Sequence, residues 1–175
     1  MPTRTHLSPR RDINYLIDNY SCPKGSENDA DLIIPYVWLG NARAAQNRQA
    51  LAERDITSIV NVSDTMTEKF PEINYLTFPL KDSPIYRNQY IDIMNQCVVF
   101  IQNAIARQES VLIHCKRGHH RSAALLAYYL MIVDNMSLLR AMACIKKSRP
   151  TGFRRMTHML ECLIDFEIRK HQYVD

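Results

Sequence analysis

The sequence predicts an α/β fold in which a mostly parallel central sheet is flanked by helices on both faces. Two observations carry this reading. Short, β-branched apolar runs alternate along the chain with longer segments whose apolar residues recur every three to four positions. One run, Val111 to Ile113, passes through a polar loop straight into a helical stripe, the order found where ligands bind beyond the carboxyl ends of parallel strands. At 175 residues and 46% apolar, the chain can bury one substantial core, so one domain is expected over residues 31–175 with an extension over 1–30.

The elements follow in order. Ile33 to Leu39 reads as a first strand, with Gly40-Asn41 as a turn and Asn41 capping a helix from Ala42 to about Arg54. Ile56 to Val62 and Tyr75 to Leu80 are further strands. Tyr90, Ile93, Met94, Cys97, Phe100, Ile101, Ala104 and Ile105 form the core-facing stripe of a long helix. After the Val111 to Ile113 strand comes a helix from about Ser122 to Val133. Another begins near Ser137, placed to cap it, and a last one runs through Met159, Leu163 and Phe166.

Composition narrows the function classes. No apolar run is long enough to cross a bilayer, and the amino terminus lacks the apolar stretch of a secretory signal. The five cysteines are widely spaced and odd in number, which points to reduced thiols and a cytoplasmic compartment, nuclear or virion-associated if the chain is viral. The net charge of +4 gathers in part at Lys116, Arg117 and Arg121, which suits an anionic substrate better than a nucleic-acid footprint.

The chemistry concentrates in His114-Cys-Lys-Arg-Gly-His-His-Arg-Ser122. A strand-to-helix turn with Gly118 at its apex can aim successive backbone N–H groups inward as an anion cradle, reinforced by the helix dipole. Such surroundings favour a thiolate at Cys115. Arg121 offers a planar fork for two phosphoryl oxygens, and Ser122 can donate its hydroxyl to the sulfur. Lys116, Arg117, Gly118, His119, His120 and Arg121 are the phosphate-binding set, while His114 is expected to order the loop by hydrogen bonding to its backbone. A zinc reading with His114, Cys115, His119 and His120 is weak, because four ligands on one turn converge poorly.

The run His114-Cys115-x-x-Gly118-x-x-Arg121-Ser122 resembles the His-Cys-x5-Arg-Ser/Thr loop of the cysteine-dependent protein tyrosine phosphatase superfamily. Pro35-Tyr-Val-Trp-Leu-Gly-Asn41, Asp55-Ile-Thr-Ser-Ile-Val-Asn-Val-Ser63 and Phe78-Pro-Leu-Lys-Asp82 resemble successive landmarks of the small dual-specificity phosphatases, including poxvirus-type members, over roughly Leu32 to Glu167. Arg149-Pro-Thr-Gly-Phe153 departs from the family's Pro-Asn-x-x-Phe segment. The resemblance implies an enzyme that cleaves phosphate monoesters on phosphotyrosine, phosphoserine and phosphothreonine of proteins through a cysteinyl-phosphate, with no cofactor and no metal. It implies Asp82 as general acid. Asp64 is the reserve and Asp92 a weaker candidate, while Ser83-Pro84 makes a capping aspartate the competing reading of Asp82.

The substrate is less defined. The loop interior Lys116-Arg117-Gly118-His119-His120 also resembles that of plant and fungal phosphatases acting on inositol pyrophosphates, and more loosely that of phosphoinositide phosphatases. A highly anionic substrate, such as an inositol pyrophosphate, a phosphoinositide or an RNA 5′-triphosphate, is therefore the alternative to a phosphoprotein. A phosphopeptide-binding pseudophosphatase is a further alternative, against which Cys115, Arg121 and Asp82 all argue.

In the extension, Ile13, Leu16, Ile17 and Tyr20 fall at amphipathic-helix spacing after Ser8-Pro9, and Cys22 to Asp29 reads as a flexible connector. So short a helix needs a partner. It docks on its own domain, exchanges into a homodimer, as an extended poxvirus member suggests, or stays a disordered tail.

Overall fold

The computed structural model describes residues 9–19, 28–67 and 69–172. Among the described residues, six helices surround a five-stranded sheet. In chain order these are α1 (Pro9–Asn19), β1 (Ala30–Ile34), β2 (Val37–Gly40), α2 (Arg48–Glu53), β3 (Ile56–Asn61), β4 (Asn74–Thr77), α3 (Tyr90–Ala106), β5 (Ser110–His114), α4 (Arg121–Val133), α5 (Leu138–Ser148) and α6 (His158–Gln172). The strands lie in the order β1-β2-β5-β3-β4, parallel except for β1 on β2.

Two expected elements are broken. The strand expected over Ile33 to Leu39 is a hairpin, because Pro35 has no N–H to give a ladder and Tyr36 turns the chain at φ 67°. The helix expected from Ala42 to Arg54 splits into a 3-10 turn at Ala44–Gln46 and the short α2. Asn41 Oδ1 accepts from Arg43 N–H and Ala44 N–H to start the first, and Asn47 accepts from Ala50 N–H to restart the second. Ser137 caps α5 as expected, accepting from Arg140 N–H at 3.3 Å.

Alternation along β5 sends Val111 and Ile113 to one face of the sheet and Leu112 to the other. The first face carries the larger core, covered by α1 and α3 to α6; the second packs Leu112, Ile59 and Ile73 beneath α2. A register shift between Ile56 and Ser58 puts Ile56 on the same face as Ile59. Helix α4 is buried without interruption from Ser122 to Met131, because it is wedged between the sheet and α3, α5 and α6. Its amino terminus is therefore fixed at the centre of the molecule. No helix among the described residues is long and apolar enough to cross a membrane.

The amphipathic stripe of α1 is covered within the chain. Ile13, Leu16 and Ile17 join the larger core beside α5, and Arg10 pairs with Glu161 of α6 at 2.9 Å. Tyr20 and the connector up to residue 27 lie outside the described residues. Ile13 is 1% exposed and Ile168 40%. Ile13→Ala should thus cost about 2–4 kcal/mol in urea unfolding, and Ile168→Ala less than about 1 kcal/mol. Docking in cis predicts a monomer in sedimentation both for the full chain and for one starting at Asp31. A dimer that truncation converts to a monomer is the signature of exchange.

Candidate active site

Strand β5 is central, bonded on both sides to parallel neighbours, so its carboxyl end opens into the crevice above the sheet. Cys115 follows it directly. The loop then turns at Gly118, whose φ is 69°, and enters α4 at Arg121. A Cβ on Gly118 would lie 2.4 Å from the Gly40 carbonyl oxygen and 2.8 Å from Arg149 Nη2, so only glycine fits. The loop is fastened from three sides. Lys116 C=O accepts from Ala42 N–H at 3.3 Å, Gly118 C=O from Arg149 Nε at 2.9 Å, and His119 C=O from Phe153 N–H at 2.7 Å.

The Ser122 hydroxyl donates to Cys115 Sγ at 3.3 Å. Burial by itself pushes the Cys115 thiol up, but the Ser122 hydroxyl and backbone N–H, the Arg121 charge and the Gly118 N–H outweigh it and hold the thiol below the ordinary cysteine value. Cys97, buried with no such donors, is pushed up to about 12. The contrast isolates what the loop does to a thiol. Cys115 opens onto a cavity of about 550 Å³ lined also by Asp82, Asp64, Arg121 and a set of cations.

Comparison with known proteins agrees with this geometry. The family model of the dual specificity phosphatase catalytic domain matches residues 37–169. The chain belongs to the dual-specificity phosphatase family. Dual specificity protein phosphatase 18 of Rattus norvegicus is 34% identical over 148 residues, covering 84% of this chain and 71% of its own length. Dual specificity protein phosphatase 22-B of Danio rerio is 33% identical over 132 residues, covering 73% and 71%. The crystal structure of human DUSP28 superposes with a TM-score of 0.74 at 26% identity, covering 86% of this chain and 98% of that one. The chain is accordingly a phosphatase enzyme.

In this phosphatase the residues singled out from sequence are not equally engaged. Arg121 Nη1 donates to the Leu80 carbonyl and to Asp64 Oδ1, the latter at 3.1 Å. The Arg121 hydrogen bond is the main reason Asp64 is held below the usual carboxylate range, which weakens it as a reserve acid. Asp92 lies in the first turn of α3, away from the cavity lining. Lys116 and Arg117 are exposed at the rim, whereas His119 is buried and His120 half-buried. His114 is buried beneath the loop: neither ring nitrogen meets strict hydrogen-bond geometry with a partner among the described residues, and the polar group that bears on the ring is the Cys115 backbone, which favours the charged ring against burial.

Asp82 is both a cavity-lining and a capping residue. It lines the cavity, and its Oδ1 accepts the N–H of His158 at 2.9 Å, capping the first residue of α6. Ser83 caps the adjacent 3-10 turn at Pro84–Tyr86. The sequence gives no local hint of a cap 76 residues away. Lys81, Arg154 and Arg155 also line the cavity and were not singled out from sequence. The Arg154-Arg155 doublet after the Arg149-Pro-Thr-Gly-Phe153 segment was the signal available for two of them.

Ser122→Ala should raise the pH midpoint of Cys115 alkylation by iodoacetamide by roughly one unit, since a hydrogen bond to the thiolate is lost. A second prediction concerns acid stability. Burial is the chief cause that lowers both His114 and His120 from 6.5 to about 4. Between those values the unfolded chain binds more protons than the folded one, so stability is full above pH 6.5 and falls as the pH drops towards 4. Urea midpoints at pH 7.5 and 5 should show the decline, and His114→Asn should flatten it.

Proposed function

We propose that this phosphatase hydrolyses phosphotyrosine, phosphoserine and phosphothreonine on proteins through a cysteinyl-phosphate. The supporting observation is Cys115, a donor-stabilised thiol, facing one cavity together with Arg121 and Asp82. The Cys115 thiolate attacks phosphorus in line, the bond to the ester oxygen breaks, and Asp82 gives that oxygen a proton. Loop amides and the Arg121 guanidinium hold the three equatorial oxygens, and Ser122 stabilises the sulfur as it leaves in the second step. Asp82 then takes a proton from the attacking water, which releases phosphate and regenerates the thiolate.

Cys115→Ser should abolish turnover while vanadate still binds, because the cradle and Arg121 remain. Arg121→Lys should lose about 10²–10³ in kcat, since a point charge replaces the fork. Asp82→Asn should lose roughly 10²–10⁴ on alkyl phosphates and less than about tenfold on an activated aryl phosphate, which departs with little need of a proton. Equal losses on the two substrates would remove Asp82 from the acid role.

A second reading has its own support. Lys81, Lys116, Arg117, Arg121, Arg154 and Arg155 line the cavity against two carboxylates, a field suited to a ligand with more charge than one phosphate monoester. Wild-type rates on phosphopeptides, a phosphoinositide, an inositol pyrophosphate and triphosphate-ended RNA, measured side by side, decide between a phosphoprotein and a non-protein polyanion.

A further inference from the structure

Three carbonyls of the phosphate loop are held from outside it, Lys116 C=O by the Ala42 amide, His119 C=O by the Phe153 amide and Gly118 C=O by Arg149 Nε. The C=O and N–H of a trans peptide unit point to opposite sides, and every peptide bond among the described residues is trans. Each tether therefore turns the following amide, that of Arg117, His119 or His120, towards the inside of the loop. Two of the three donors are main-chain amides, which any substitution but proline preserves. The third is a side chain, and it holds the unit most free to turn over. Gly118 lies in the left-handed region at φ 69°, and without a Cβ it gives the peptide unit that follows it the widest choice of orientation. Turned over, that unit would aim its carbonyl oxygen at an incoming phosphate and withdraw the His119 amide from it.

Arg149 is itself immobilised. It ends α5 and is 1% exposed, and its Nη1 donates to Asp31 Oδ2 at 2.6 Å and to the Asn28 carbonyl at 3.1 Å. Asp31 belongs to the edge strand β1, and its side chain is 15% exposed. One planar guanidinium thus spans a carboxylate and the Gly118 carbonyl, a reach that the single point of an ammonium cannot reproduce. A turned-over peptide would leave Nε buried without its acceptor, and the cost of that orphaned donor opposes the turn. Neither Arg149 nor Asp31 lines the cavity of Cys115.

We propose that Asp31 and Arg149 are positioning residues that lock the peptide unit between Gly118 and His119 in the orientation that binds a phosphoryl group. Asp31 acts through Arg149, and Arg149 acts through the Gly118 carbonyl. The inference deepens the proposed function: it rests on the loop amides holding the transferred group and is independent of which alcohol the phosphate leaves.

Vanadate is the probe, because it occupies the cradle whatever the ester. Arg149→Lys keeps the charge and removes the fork; it should weaken vanadate binding and lower kcat on an aryl phosphate by about 10²-fold each, the scale of one lost oxyanion donor. Asp31→Asn keeps an oxygen for the guanidinium and removes the charge, and should cost about tenfold in both. In amide NMR spectra, vanadate should shift the His119 resonance strongly in the wild type and less in Arg149→Lys. Ile73→Ala controls for stability lost elsewhere. Ile73 is buried in the second core just before β4, at the end of the sheet remote from Cys115, and its truncation should leave vanadate affinity and kcat at the wild-type level.

Wild-type vanadate affinity and kcat in folded Asp31→Asn and Arg149→Lys overturn the proposal, since the pair is then only a brace. Losses in Ile73→Ala as large as theirs also overturn it, since general loosening then accounts for them. If Arg149→Lys does not fold, Asp31→Asn decides alone. A wild-type protein that does not bind vanadate removes the reading of the loop as a phosphoryl cradle, and the lock with it. Binding that the two substitutions leave unchanged removes the lock and spares the cradle.

Discussion

The phosphate loop keeps its shape because of one buried guanidinium. Arg149 is 1% exposed, an environment in which an unpaired charge would cost several kcal/mol, and its placement is therefore dictated by its partners. Nη1 donates to Asp31 Oδ2 at 2.6 Å and to the Asn28 carbonyl at 3.1 Å, while Nε donates to the Gly118 carbonyl at 2.9 Å. Three stretches far apart in sequence thus meet on one side chain. The Gly118 carbonyl is held outward by Arg149, which leaves the N–H side of the loop turned towards the sulfur. Gly118 in turn packs so closely on Gly40 and Arg149 that no side chain could stand between them.

What this rigidity supports is an electrostatic imbalance. A buried thiolate and a crowd of cations are each unfavourable alone, and they coexist because the loop fixes donors at the sulfur instead of leaving water to solvate it. The two carboxylates of the cavity each lean on an arginine, Asp64 on Arg121 and Asp82 on Arg155. The resting cavity is thereby partly neutralised by its own side chains, and an incoming phosphate competes with them for the same guanidinium groups.

Much of this was legible in the sequence where the signal was local. The β5–loop–α4 unit, the α3 stripe and the Ser137 cap depend on neighbours within a few residues, and periodicity or spacing exposes such features directly. The hairpin at Tyr36 was missed because a positive φ on a tyrosine has no compositional mark, and the apolar run continues smoothly across the turn. The complete burial of His114 beneath the loop is likewise a product of packing and carries no local mark. Arg149, Arg154 and Arg155 reach the loop or the cavity only through the path of the chain between α5 and α6, and nothing in their own segment specifies where that path goes.

The clip between Asp82 and α6 is made to a main-chain amide. Thr157 supplies the neighbouring cap by accepting from Leu160 N–H, so the helix start is secured whatever side chain residue 158 carries. Any amino acid except proline could stand there and keep the contact. The contact itself places no demand on the side chain at position 158 beyond excluding proline, whereas at position 82 it needs a side-chain oxygen. Co-variation between the two positions would be silent, and one of the longest-range restraints on this active site would leave no trace in an alignment.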